Sequence, residues 1–167
     1  MGYLEFCSNC GEKNQFGEKD GNKRYFCSQC STIHYENPKP TATLICMHQN
    51  QLLLVKRAVD PGKGMWGLPG GFIERGETPE MGAQRELLEE TNLQGSVSNL
   101  LGTCSHFNTV FGDILLMGME VQIEDWSSIK AGDDAEEAIL FPFDELPKLA
   151  FPCHEKIVNM YRKKSLS

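Results

Sequence analysis

The chain has 167 residues, 40% hydrophobic and 23% charged, ordinary for a soluble globular protein and enough for one real core plus a small appendage. Its formal charge of −7 argues against a general polyanion binder, because nucleic-acid affinity leans on basic surface. No apolar run approaches membrane-spanning length and Met1-Gly-Tyr-Leu-Glu5 lacks a charged-then-apolar leader, so the expectation is a cytoplasmic protein without a membrane partner.

The first segment is organised by cysteine. Cys7-x2-Cys10 and Cys27-x2-Cys30 form two knuckles, each short enough to aim both thiolates at one ion. Together they complete a tetrahedral site with no open position, which predicts a structural zinc ribbon over residues 1–36. An iron site on the same four ligands and free thiols are the alternatives. Aliphatic residues are few before position 36, so this segment needs such a staple to fold. Lys13, Lys19, Lys23 and Arg24 are offset by Glu5, Glu12, Glu18 and Asp20, which favours a structural or dimer-forming role over nucleic-acid contact. Cys46, Cys104 and Cys153 are scattered and read as small core residues.

Asn37-Pro38-Lys39-Pro40 reads as an extended linker opening a second domain, 37–167, with the pattern of a mixed α/β fold. Residues 41–47 and 51–57 are β-rich runs around a His48-Gln49-Asn50 turn. Residues 60–71 are too rich in glycine and proline for regular structure. Thr78 and Pro79 announce a helix to about Thr91, with Asn92 in the left-handed position that ends it. Further strands are expected over 96–103, 114–123 and 138–142, and a final helix over 153–163.

The helix carries Glu86, Glu89 and Glu90 at i, i+3 and i+4, within an arc of roughly 100°. Three like charges on one face repel and call for a partner, and a hard divalent cation with oxygen ligands suits them. Leu88 and Met81 fall almost opposite this arc and are expected to form the buried face. Gly82 lies in the carboxylate sector one turn earlier, where a missing side chain admits a loop or a substrate, and Arg85 can reach Glu89. A merely solvated acidic face would explain neither Gly82 nor the long glycine-rich loop before it.

The pattern Gly71-x5-Glu77-x7-Arg85-Glu86-Leu87-x-Glu89-Glu90-x-Asn92-Leu93 resembles the Nudix box, the signature of the Nudix hydrolases. Gly64-x-Trp66-x-x-Pro69-Gly70-Gly71 matches the family's common lead-in, and Asn92 stands where the family usually has glycine. The resemblance covers about residues 41–160 and implies an α/β fold, an α/β/α sandwich around a mixed sheet. It implies hydrolysis of a nucleoside diphosphate linked to another group, with Mg2+ or Mn2+ held by Glu89, Glu90, Glu86 and the carbonyl of Gly70. Glu86 is then a further ligand or the general base, Arg85 orients a glutamate, and Glu77 anchors the loop. Some members draw the base from a later loop, where Asp133, Asp134, Glu136 and Glu137 stand. Glu137 is the expected auxiliary ligand.

Among Nudix proteins with a four-cysteine ribbon, this chain lacks the Ser-Gln-Pro-Trp-Pro-Phe-Pro-like motif of the NADH pyrophosphatases. It looks more like the compact group acting on ADP-ribose or FAD, releasing AMP and a second monophosphate. Trp66, Phe107 and Phe111 are the candidates for stacking on a substrate ring, and His106 is a further candidate contact. A nucleotide-capped RNA hydrolase and a non-catalytic ADP-ribose sensor are the competing readings, and the resemblance allows a homodimer.

Overall fold

A computed structural model describes residues 4–132 and 134–165. The expectations placed on Asp133 and on residues 1–3 therefore lie outside the described residues. The chain folds as two units, Met1–Asn37 and Pro38–Ser167.

In the first unit, strands β1 (Gln15–Lys19), β2 (Asn22–Phe26) and β3 (Ile33–His34) pair antiparallel in that order. The β1–β2 hairpin turns on Asp20 and Gly21, both at positive φ, as the twist of a two-residue turn demands. Each knuckle is closed by backbone. Gly11 N–H donates to the Cys7 carbonyl at 2.9 Å, and Cys27 N–H donates to the Thr32 carbonyl at 2.8 Å. The four sulfurs converge, with Cys7 Sγ 3.6 Å from Cys30 Sγ and Cys10 Sγ 3.5 Å from Cys27 Sγ. Hydrogen bonds from Thr32 pull the Cys30 thiol down to about 6, toward the thiolate form that a metal requires.

The second unit is built on β4 (Lys39–His48) and β5 (Gln51–Arg57), joined by a turn with Gln49 at φ 55°. Beyond that hairpin, β4 pairs parallel with β8 (Gly112–Gln122), and β8 pairs antiparallel with β7 (Ser96–Thr109). On the other side β5 pairs antiparallel with β6 (Trp66–Gly67) and β9 (Ala135–Pro142). Among the described residues two helices complete the unit, α1 (Pro79–Thr91) and α2 (Pro152–Ser165).

Strand alternation assigns the two cores. Ala42, Leu44 and Cys46 of β4 pack with Ala83 and Leu87 of α1, whereas Ile45 packs with Cys153, Ile157 and Val158 of α2. In β5, Leu53 joins the first cluster, Leu52 and Leu54 the second. The helices thus cover opposite faces of the mixed sheet, an α/β/α sandwich. This explains why β5 reads as an uninterrupted apolar run: both faces are buried.

Four differences from the sequence reading have physical causes. The 96–103 strand continues to Thr109 because β8 goes on pairing with it, through one further register shift between His106 and Thr109. The 60–71 loop contains β6, which pairs with Val55 and Lys56. The 138–142 strand begins at Ala135, along β5. The fourth concerns α1. Its caps are as expected: Thr78 Oγ1 accepts from Met81 N–H, and Asn92 at φ 56° donates its N–H to the Leu88 carbonyl. Its buried residues, however, are Gly82, Ala83, Leu87, Glu90 and Thr91, while Met81 is 52% and Leu88 44% exposed. The face that docks on β4 is set by Leu87 against Leu44 and Leu53, and it carries Glu90 inward with it.

That reversal is directly measurable. Leu87→Ala should cost about 2–5 kcal/mol in denaturant unfolding through the cavity it leaves. Leu88→Ala on the exposed side should cost less than about 1 kcal/mol. The opposite ranking would restore the helix orientation expected from sequence.

Candidate active site

A cleft of about 420 Å³ opens where the glycine-rich loop, α1, and the ends of β5 and β8 meet. The loop lies flush on β4. Ala42 N–H donates to the Gly71 carbonyl at 2.9 Å and Leu44 N–H to the Pro69 carbonyl at 2.8 Å. Gly70 has φ 133°, and a Cβ there would sit 2.1 Å from the Ala42 carbonyl oxygen, so no side chain fits. The same approach brings the loop under α1, where a Cβ on Gly71 would lie 2.5 Å from Glu86 Oε1.

Arg85 ties this arrangement together. Its Nε donates to Glu77 Oε1 at 2.7 Å, and its Nη2 donates to Glu77 Oε2 at 3.0 Å and to the Phe72 carbonyl at 2.9 Å. Its Nη1 is shared between Glu86 Oε1 at 2.7 Å and Glu89 Oε2 at 3.0 Å. Glu77 in turn accepts from Glu74 N–H at 2.8 Å, which fixes the loop. The Arg85 guanidinium holds the Glu77 carboxyl down to about 2. Gly82 makes room for this junction, since a Cβ there would already meet Glu77 Oε2 and Ile73 Cγ1 at 3.3 Å. The loop, not a substrate, uses that gap.

The donors of Arg85 go to Glu77, Glu86, Glu89 and Phe72, and Glu90 is held differently. It is only 8% exposed, and its Oε2 accepts from Gly70 N–H at 2.9 Å. Burial pushes its carboxyl up to about 8; the Gly70 N–H opposes this, Glu86 and Asp134 add to it, and Arg57 opposes it. Two carboxylates and a third acid facing one another in a half-dry cleft disfavour full ionisation until positive charge arrives. Hard oxygen donors with such a deficit fit a divalent cation. Glu86, Glu89, Glu90 and Gly70 all line the cleft.

The remaining expected residues separate. Phe111 lines the cleft mouth, 44% exposed, with its ring edge-to-face on Phe72 at 5.5 Å. His106 lines the cleft too. Trp66 does not line it: its ring packs on Phe141 at 4.7 Å and against the α2-side core. Phe107, 62% exposed, is also absent from the lining. Glu137 stands on β9 opposite Lys56, whose Nζ donates to its Oε1 at 2.7 Å, and it does not line the cleft. Among the described residues, the acid of that segment that does line it is Asp134, held by Ala58 N–H donating to its carbonyl at 2.7 Å. Arg57, Phe72, Phe151 and His154 also line the cleft and were not singled out from the sequence. For Arg57 a signal existed: a cation closing an apolar strand just before a glycine-rich loop.

The Glu77–Arg85 pair carries a pH signature. A carboxyl whose folded value is about 2 against an ordinary 4.5 contributes stability above pH 4.5 and loses it as pH falls toward 2. The melting-temperature gap between wild type and Glu77→Gln should therefore be widest above that window and close through it. A gap independent of pH would show that the ion pair does not hold the loop.

Comparison with known proteins agrees with this geometry. A family model described as NUDIX domain matches residues 38–161, and one described as Nudix N-terminal matches residues 5–36. The ADP-ribose pyrophosphatase of Methanocaldococcus jannaschii is 40% identical over 137 residues, 77% of this chain and 76% of that protein. The NAD-capped RNA hydrolase NudC of Pseudomonas aeruginosa is 29% identical over 86% of this chain, which spans 50% of that relative's length. The crystal structure of a NUDIX hydrolase from Nitrosomonas europaea superposes with a TM-score of 0.83 at 32% identity, covering 97% of this chain and 93% of that one. The Nudix pattern of the glycine loop and α1, the sandwich that carries it and the four-cysteine ribbon converge on one conclusion: the chain belongs to the Nudix hydrolase family.

Proposed function

We propose that the protein hydrolyses the pyrophosphate of ADP-ribose with Mg2+, or Mn2+ in its place, giving AMP and ribose 5-phosphate. FAD, split into AMP and a second monophosphate, is the next substrate in this reading. The observation that carries it is the cleft in which Glu86, Glu89 and Glu90 converge beside Arg57, with Glu90 buried and short of positive charge. The similarity to the Methanocaldococcus jannaschii ADP-ribose pyrophosphatase supports the choice of substrate.

Glu86, Glu89, Glu90 and the Gly70 carbonyl would hold the cation. When bound, it supplies charge neutralisation on the pyrophosphate and lowers the pKa of a coordinated water. The chain's own residues do the rest. Arg85 positions Glu86 and Glu89 and, with its donors engaged by Glu77, Glu86, Glu89 and Phe72, acts as a positioning residue rather than a substrate contact. Arg57 faces the bridging phosphates as a fixed positive charge. Asp134 takes the proton from the attacking water as its oxygen bonds to phosphorus and the P–O bond of the anhydride breaks. Asp134 takes this role in place of Glu137, which is occupied by Lys56. Phe111, with Phe72 edge-on behind it, offers the exposed ring face for adenine.

In the ribbon, Cys7, Cys10, Cys27 and Cys30 present one sulfur each within 4.8 Å of one another, which fits tetrahedral zinc in a structural role. A cytoplasmic enzyme and a homodimer complete the reading. Among the described residues no helix is long and apolar enough to cross a membrane. The similarity to NudC proteins makes NADH and NAD-capped RNA the second set of substrates.

Turnover of ADP-ribose, FAD, NADH and NAD-capped RNA with Mg2+ or Mn2+ decides among these. ADP-ribose should give the highest kcat/KM; a preference for capped RNA would replace this reading with the second. Asp134→Asn should lower kcat by about 10²–10⁴-fold while Glu137→Gln stays near wild type. The reverse order would move the base from Asp134 to Glu137, and an unaffected kcat in both variants would leave it to Glu86. Cys27→Ser should abolish bound zinc by metal analysis of the purified protein; retained zinc would remove the four-cysteine assignment.

A further inference from the structure

His154, in the first turn of α2, is held more tightly than its place in the sequence suggests. Leu68 N–H donates to its Nδ1 at 3.0 Å. A Cβ on Gly67 would come within 3.3 Å of the same nitrogen, so β6 runs close against the ring. Phe151 packs edge-on at 5.3 Å. Because Nδ1 is an acceptor, the neutral ring carries its proton on Nε2. Burial, then Arg57 and His106, push the imidazole down to about 3, so it stays in that neutral form at physiological pH. His154 lines the cleft, and the bond at Nδ1 leaves its Nε2–H as the neutral donor it can offer there.

Arg57 connects His154 with the carboxylates, since all of them line the one cleft and its charge acts on both Glu90 and His154. Arg57, Phe151 and His154 form one cluster of the cleft lining, with Arg57 over the Phe151 ring at 5.2 Å and His154 edge-on to it at 5.3 Å. The Phe151 ring is already engaged by Arg57 at 5.2 Å, His106 at 6.0 Å and His154 at 5.3 Å, which leaves less of it for a base than the exposed Phe111 offers. The exposed aromatic face belongs instead to Phe111, on Phe72 next to the Arg85 junction. A neutral donor beside an aromatic ring already packed by three neighbours suits a sugar hydroxyl better than a second ring.

We infer that His154 is a substrate-binding residue whose Nε2–H donates to a hydroxyl of the sugar on the non-adenylate half of the substrate. This rests on the ADP-ribose reading above. It makes the Leu68–His154 hydrogen bond a specificity device: the main chain of the segment leading into the glycine-rich loop sets the tautomer that the sugar meets.

The test uses the full chain, with ADP-ribose as substrate and its two halves, AMP and ribose 5-phosphate, as competitive inhibitors. His154→Asn keeps an acceptor for Leu68 N–H and removes the donor at Nε2. His154→Gln places a donor near Nε2 and gives up the acceptor. His154→Asn should raise the KM for ADP-ribose and the inhibition constant of ribose 5-phosphate about 3- to 10-fold, the loss of one neutral hydrogen bond. Its kcat and its inhibition by AMP should stay as in wild type, and His154→Gln should recover ribose 5-phosphate binding. Unchanged inhibition by ribose 5-phosphate, or equal weakening of both inhibitors, would overturn the assignment. Nitrogen NMR of wild type gives an arm that no misfolded variant can spoil: the His154 Nε2 signal should move on adding ribose 5-phosphate, and an unmoved signal counts against the contact. Absence of ADP-ribose turnover by wild type is a separate result, which removes the underlying reading and this inference with it.

Discussion

One guanidinium organises this active site. Arg85 binds Glu77, Glu86, Glu89 and the Phe72 carbonyl at once, linking the glycine-rich loop to the helix that follows it. A planar fork of donors suits the task, because a lysine could not satisfy carboxylates lying on several sides of one plane. The charges of the site still do not balance. With all ionised, Glu77, Glu86, Glu89 and Glu90 set four negative charges against two positive ones on Arg85 and Arg57, an excess of two. Asp134 adds another. That excess, in a cleft that buries Glu90, is a charge deficit that a divalent cation would suit.

The scaffold matters because it fixes where this junction sits. β4 is the spine: one face packs on α1, the other on α2, and its main chain also receives the loop through Ala42 and Leu44. Gly70 can approach that main chain only because it has no side chain. Its N–H is thereby aimed at Glu90, a buried acceptor that would otherwise be costly to leave unpaired. The same contacts pack the core and orient the chemistry. Leu87 and Glu90 stand one helical turn apart, so docking one delivers the other.

Much of this was legible from the chain alone, and the misses are instructive. The β5 run, the limits of α1 and its Asn92 terminus follow from local periodicity and capping chemistry, which depend on neighbours within a few residues. Arc geometry placed Glu86, Glu89 and Glu90 together. It put the buried face on Leu88 and Met81, wrongly, because Leu87 and Leu88 are equally apolar and differ only in what they meet. Glu137 and Asp134 differ by three positions on a segment entering a strand, and pairing of β9 with β5 gives Glu137 to Lys56 and leaves Asp134 in the cleft. Trp66 looked like a stacking partner because it is aromatic and near the loop; β6 pairing turns its ring against Phe141.

The sequence by itself determined what short-range chemistry decides: two cysteine knuckles, one helix with a dense acidic arc, a glycine loop and the family they announce. Those features are set by spacing, and spacing is fully written in one dimension. Only the tertiary structure decided which acids and rings share the cleft. His154 shows why: it is separated from Leu68 by 86 positions, yet that backbone N–H sets its tautomer. Such assignments follow from long-range strand pairing and helix docking, whose partners no local pattern names.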